Sequence, residues 1–294
     1  MKSIKLALAI AVLSTPAVVN AQSPVNGFMQ GKGKGNVVIS YSSESYDKVF
    51  LVPNKADGVP VFNKVAISSV NIFSTIGLSK KVDLQLSVPH ITSKGSASDQ
   101  VLTNLGYTNE QKGLQDVSIY AKYNPFNFTV GKGNHIALIG SLGFQAPIGS
   151  YKVDQGLQSI LAIGNRATQL NTFIATHFKG KNGTFLTATL GYSIRGNDVP
   201  SAFISELKAG YASKYFYIDL FAASQISSSK GVDIVNLGFQ GAFPKTRVNY
   251  NRVGVNAYVP LSKGFGLTTG YSAYVAGRNL GQASGGYGGL VYSF

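Results

Sequence analysis

The stretch Gly264-Phe265-Gly266-Leu267-Thr268-Thr269-Gly270-Tyr271-Ser272-Ala273-Tyr274-Val275-Ala276-Gly277 decides the fold. In an extended chain Phe265, Leu267, Tyr271, Ala273 and Val275 share one face, and Gly266, Thr268, Gly270 and Ser272 share the other. Successive side chains of a β-strand point to opposite sides, so this is a strand with one oily face and one small or polar face. Thr184–Arg195 has the same form: Leu186, Ala188, Leu190, Tyr192 and Ile194 oppose Thr187, Thr189, Gly191, Ser193 and Arg195. Tyr215–Gln225, Asp116–Tyr123 and Val82–Val88 repeat it.

A sheet sandwich also alternates, with its apolar side inward. Three features favour a membrane barrel. The segments run to about ten to fourteen residues, enough to cross a bilayer at a tilt and longer than the roughly 5–6 usual for globular strands. Their polar faces are rich in Gly, Ser and Thr with few Lys or Glu, as suits an enclosed lumen. Tyr and Phe recur at the segment ends, where a barrel meets the two membrane interfaces. Composition agrees: 34 Gly, 17 Phe and 16 Tyr go with only 13% charged residues. That charge content is about half the usual ~25% of soluble domains. Zero Cys excludes disulfide scaffolds, thiolate metal sites and cysteine nucleophiles.

About twelve such segments can be counted, from Asn36–Tyr46 to Gly285–Phe294, predicting an all-β transmembrane antiparallel up-and-down barrel over residues 36–294. Connections alternate in length. Ser79-Lys80-Lys81, Gly180-Lys181-Asn182-Gly183, Lys214 and Leu261-Ser262-Lys263 are short; Asp47–Lys64, Thr92–Gly113, Ile148–Arg166 and Ser227–Thr246 are long. Short periplasmic turns and long outer loops give this pattern. Two connections depart from it: Pro125–Gly133 reads as long for a turn, and Gly196–Ser201 as short for a loop.

The N-terminus reads as an address. A basic start, Met1-Lys2-Ser3-Ile4-Lys5, precedes an apolar run from Leu6 to Leu13, and Val19-Asn20-Ala21 has the small residues that a signal peptidase reads. Residues 1–21 are therefore expected to direct export, and 22–35 to form a flexible periplasmic arm. Without Lys2 and Lys5 the 26 basic residues fall to 24 against 12 acidic ones, a net charge of +12. Export makes nucleic acid a poor match for that charge, leaving outer-membrane lipid and small solutes as the expected partners.

The chain ends Gly289-Leu290-Val291-Tyr292-Ser293-Phe294. The terminal Phe294, with Tyr292 and Leu290 at alternate positions after Gly289, resembles the signal by which the barrel-assembly machinery recognises its substrates. Two internal stretches are similar to the outer-membrane transporter family named for the MetA pathway of phenol degradation, itself distantly FadL-like. They are Gly113-Leu114-Gln115-Asp116-Val117-Ser118-Ile119-Tyr120-Ala121-Lys122-Tyr123 and Leu142-Gly143-Phe144-Gln145-Ala146-Pro147-Ile148-Gly149-Ser150-Tyr151. The resemblance implies a bacterial outer-membrane channel for small, often hydrophobic or aromatic, molecules.

With the oily faces towards lipid, Asp83, Asp116, Lys122, Arg195, Glu206, Lys208, Asp219 and Arg252 point inward, as do Tyr120, Tyr258 and Tyr274. A Lys or Arg facing hydrocarbon at mid-depth costs roughly 2–4 kcal/mol, which favours the lumen. There the charges either brace the wall through salt bridges or line a solute path and set its selectivity. Twelve strands lie between the filled eight-stranded barrels and the open sixteen-stranded porins, so the lumen is expected to be narrow or partly occluded. Two rival classes stay open, a barrel hydrolase using His90, His135 or His177, and a structural barrel with no pathway. No nucleophile motif flanks any of the three His; Asp99, Glu110 and Asp116 are too scattered for a metal cage, and no cofactor is called for. Gly31-Lys32-Gly33-Lys34-Gly35 precedes a strand rather than a helix, unlike a phosphate loop.

Overall fold

The computed structural model describes residues 26–52, 55–131, 133–235, 239 and 243–294. The export segment, residues 1–21, lies outside the described residues. Strands form wherever the two-residue period runs. We label them β1 (Gly35–Tyr46), β2 (Val65–Gly77), β3 (Val82–Gly95), β4 (Asp116–Val130), β5 (Asn134–Pro147), β6 (Gln169–Lys179), β7 (Thr184–Arg195), β8 (Ala202–Ala212), β9 (Tyr217–Ser227), β10 (Asn249–Pro260), β11 (Phe265–Arg278) and β12 (Ser284–Ser293). They belong to a 13-stranded sheet in which the short strand Glu110–Leu114 is an addition beside β3. The other 12 pair antiparallel, each with its sequence neighbour. The ring closes through β12 and β1, where Val38 opposes Val291 and Ile39 opposes Leu290. Closure satisfies every edge, which is what allows a sheet to sit in hydrocarbon.

The faces divide as the period requires. Ile39, Leu142, Ile194, Leu220, Leu267 and Val275 are exposed on the outside, while Asp83, Lys122, Thr187, Asp219 and Ser272 are buried on the inside. Glycine serves close approach at one wall position. Gly143 opposes Tyr120 across β4 and β5, and a Cβ there would run into the Tyr120 ring.

One end of the barrel carries only short turns. Gly183 (φ 96°) and Gly264 (φ 83°) adopt the left-handed conformation that two of them need. The connection read as long, Pro125–Gly133, is corrected here. Strand β4 continues through Pro125 to Val130, with a bulge between Tyr123 and Phe126, so a short turn follows. The oily side chains Phe126 and Phe128 remain outside on that extension and stack at 6.0 Å. The period is broken only by the bulge, which adds residues to one strand without ending it. The other end carries the long loops. They hold the helix Asp99–Leu105, two small strands (Lys48–Phe50 and Lys55–Asp57) and a core of Val59, Phe62, Val65, Leu102 and Leu161.

Candidate functional site: the lumen and the cavity above it

The segment read as a flexible periplasmic arm is the first feature of the lumen. Its described part, residues 26–34, enters the short-turn end of the barrel, and Asn26 is 4% exposed. Lys122 of β4 donates from Nζ to Asn26 Oδ1 (2.8 Å) and to the Phe28 carbonyl oxygen (2.8 Å). Its ion pair with Asp83 of β3 spans 3.5 Å, and neither side chain is accessible. Asp83 in turn accepts from the Gln30 backbone N–H at 3.1 Å. The Phe28 ring fills the space between His177 (4.7 Å), Phe185 (5.3 Å) and Tyr217 (6.3 Å). A buried carboxylate and ammonium are held here by each other and by peptide groups, the condition under which such burial is tolerable. The arm is thus a stopper with a polar grip and an aromatic tip.

Mid-lumen, Asp219 accepts from Tyr217 Oη (2.5 Å) and Asn256 Nδ2 (2.9 Å), and Tyr287 Oη donates to Asn256 Oδ1 (3.0 Å). Glu206 and Lys208 lie on one strand two residues apart and pair at 3.5 Å. Tyr258 is buried in the same aromatic cluster as Tyr217 and Phe185. His177 shares a 2.8 Å hydrogen bond with Thr187 Oγ1. Among the described residues no carboxylate or serine hydroxyl hydrogen-bonds any of the three His; His135 meets only Thr129.

Towards the loops, Arg252 donates to Glu44 (3.1 Å), to Ser272 Oγ (2.8 Å) and to Tyr274 Oη (3.2 Å). Arg195 donates to Gln225 Oε1 (2.7 Å), and Asn171 Nδ2 donates to Tyr120 Oη (3.0 Å). Asp116 accepts from Gln145 (3.1 Å) and from Tyr151 Oη, which drops in from the loop after β5. All eight charged residues placed inward from the sequence face the lumen, and each has a polar partner in or above the wall. Glu44 was missed, although it shares the parity of Ser40 and Ser42 and was readable from it. Asn26, Phe28, Gln30 and Tyr151 had no such signal.

The cavities at the loop end include a polar one and an apolar one that follow each other along the wall. The lower, of about 370 Å³, is polar and lined by Ser40, Ser42, Glu44, Asn71, Gln115 and Arg252 among others. The upper, of about 610 Å³, is roofed by loops and largely apolar, with Tyr46, Val49, Val61, Leu157, Ile160 and Leu280 in its lining. Glu44 lines the lower cavity and Tyr46 the upper. Two residues along a strand rise about 7 Å, so the two spaces are neighbours along one wall. Beside the upper cavity, next to its lining residues Ile234 and Asn279, Asp233 takes Nε and Nη2 of Arg278 at 2.7 and 2.5 Å and Asn279 Nδ2 at 2.8 Å. The guanidinium holds the Asp233 carboxyl down at about 2.

No protein-family model matches the chain, and no curated protein does. Among solved structures, the COG4313 outer membrane channel from Pseudomonas putida F1 superposes with a TM-score of 0.70 at 13% identity, over 92% of this chain and 100% of that one. The KdgM porin in complex with disordered oligogalacturonate aligns with a TM-score of 0.49 at 8% identity, over 87% of this chain and 99% of that one. The first likeness shows that this chain has the fold of an outer-membrane channel.

Proposed function

We propose that the chain is a bacterial outer-membrane channel that passes small, hydrophobic or aromatic solutes by passive or facilitated diffusion through a narrow lumen. The observation that carries the reading is the apolar cavity of about 610 Å³ directly above a polar, charge-braced lumen. Its volume and lining are those of a small-molecule site, and an uncharged ring gains by leaving water for it. The strand motifs similar to the phenol-pathway transporters support the same class. In this reading the loops face outward and the short turns face the periplasm. The first 21 residues serve export, and Gly289, Leu290, Tyr292 and Phe294 serve recognition by the assembly machinery.

The lumen charges act chiefly as bracing, since each is matched by a neighbour. Selectivity then arises at the cavity, and passage requires residues 26–30 to yield. The test is solute entry into vesicles carrying the refolded chain, compared among phenol, toluene, benzoate and glucose. Faster entry of phenol and toluene than of glucose is expected. Vesicles that stay sealed to all four, with residues 26–30 present or removed, overturn the reading.

A further inference from the structure

The twelve acidic residues of the chain are distributed unevenly between the two ends of the barrel. Five stand in the lumen wall, and the other seven are in or beside the connections at the loop end; none of the 12 lies in a turn at the opposite end. The short turns carry only cations. Lys80 and Lys81 join β2 to β3, Lys181 joins β6 to β7, Lys214 joins β8 to β9, and Lys263 joins β10 to β11. Lys34 stands at the seam where the chain enters β1 beside β12. All six are exposed, and none is in a salt bridge, whereas Lys48, Lys94, Lys112 and Lys245 at the loop end are each paired with a carboxylate.

Because the turns occur at alternate strand junctions, these lysines do not form a patch. They are spread around the whole circumference of a closed cylinder. A second layer lies just above them on the outer surface: Phe126 and Phe128, Tyr215 and Phe216, Phe265, and Tyr292 with Phe294 are all exposed there. Aromatic rings of this kind sit at the interface between acyl chains and headgroups. Cations one turn further out therefore stand at the level of the phosphates.

We propose that this rim docks the phosphate groups of acidic phospholipids in the leaflet that surrounds the short-turn end. The inference rests on the outer-membrane reading above but not on what, if anything, passes the lumen. A globular acidic partner would be met by a one-sided patch; an encircling ring beneath an aromatic belt fits lipid. Each lysine close to an anionic surface is worth roughly a fivefold preference, weakened by salt.

The experiment is native mass spectrometry of the full refolded chain, released from micelles containing equal phosphatidylglycerol and phosphatidylcholine. The chain should retain phosphatidylglycerol in preference, and 0.5 M salt during equilibration should remove the preference. The variant Lys80→Gln, Lys81→Gln, Lys181→Gln, Lys214→Gln, Lys263→Gln should lose it at least about tenfold. A loop-end control with Lys64→Gln, Lys152→Gln and Lys230→Gln should keep it. Equal retention of both lipids by the unaltered chain, or the same preference in the rim variant as in the parent, overturns the proposal. The salt arm needs no variant, so a preference that persists in 0.5 M salt overturns the proposal even if the rim variant fails to refold. Solute entry measured on the same preparation separates the two readings: a barrel that stays sealed with residues 26–30 present or removed, yet still selects phosphatidylglycerol, removes the channel and leaves the rim.

Discussion

The lumen and the cavity above it are adjacent spaces in one barrel, built on opposite chemistry. The lumen is closed by matched charges and by the chain's own Phe28, held through Lys122 and Asp83. The cavity is bounded by Val49, Val61, Leu157 and Ile160, side chains from separate loops. A strand wall places its polar groups by parity, so it can pair them within 3–4 Å and exclude water. Loops gather apolar side chains over a wider span and leave room between them. In the proposed reading the two spaces divide the work, with recognition at the mouth and obstruction below it.

The largest expected effect tests the obstruction. Lys122→Met leaves Asp83 buried opposite a thioether, and breaking a buried pair from one side costs about 3–5 kcal/mol. Unfolding in urea, read by loss of the compact form on unheated gels, should show that loss. Lys122→Met with Asp83→Leu should recover most of it. If the single and double variants are equally stable, the pair is not what grips the arm.

Removing the tip should separate the two regions. Phe28→Ala deletes the ring between His177, Phe185 and Tyr217 without touching the ion pair. Planar-bilayer conductance should rise severalfold, while binding of toluene at the cavity stays as it was. Unchanged conductance would place the constriction elsewhere in the lumen.

The converse variant is Ile160→Asp. A carboxylate facing the cavity must remain hydrated, so apolar affinity should drop by about tenfold, in line with roughly 1–3 kcal/mol for an uncompensated polar group. Small-ion conductance should not change. Titration with toluene, followed by intrinsic tyrosine fluorescence, reads the first, and bilayer current reads the second.

The smallest expected effect is a pH dependence at the mouth. The folded Asp233 carboxyl, at about 2, lies below the roughly 3.9 of an unfolded Asp. Its stabilising contribution is therefore complete above about pH 4 and is lost as pH falls towards 2. Apolar binding should hold level from pH 7 to about 5 and weaken only below 4. Asp233→Asn should flatten that decline. An equal decline in parent and variant would take the clamp out of the cavity's design.

Much of this was legible in the amino-acid order. Strand β7 (Thr184–Arg195) has the limits that its alternation predicts, because side-chain parity is a local property of an extended chain. Parity also put Asp219 and Lys122 inside. It failed at Pro125, where proline and the bulge beside it conceal the rest of β4. It had nothing to say of Asn26–Gln30, a short polar segment with no period, whose partners stand 53 and 94 to 96 positions away.

The sequence by itself determined a closed antiparallel barrel, its strand faces and its long and short ends, because each follows from the two-residue repeat and the spacing of turns. Only the tertiary structure decided that the N-terminal arm occupies the lumen, that Tyr151 reaches Asp116, and that separate loops enclose an apolar space. Those contacts join segments remote in the chain, where no local pattern records which side chains will meet.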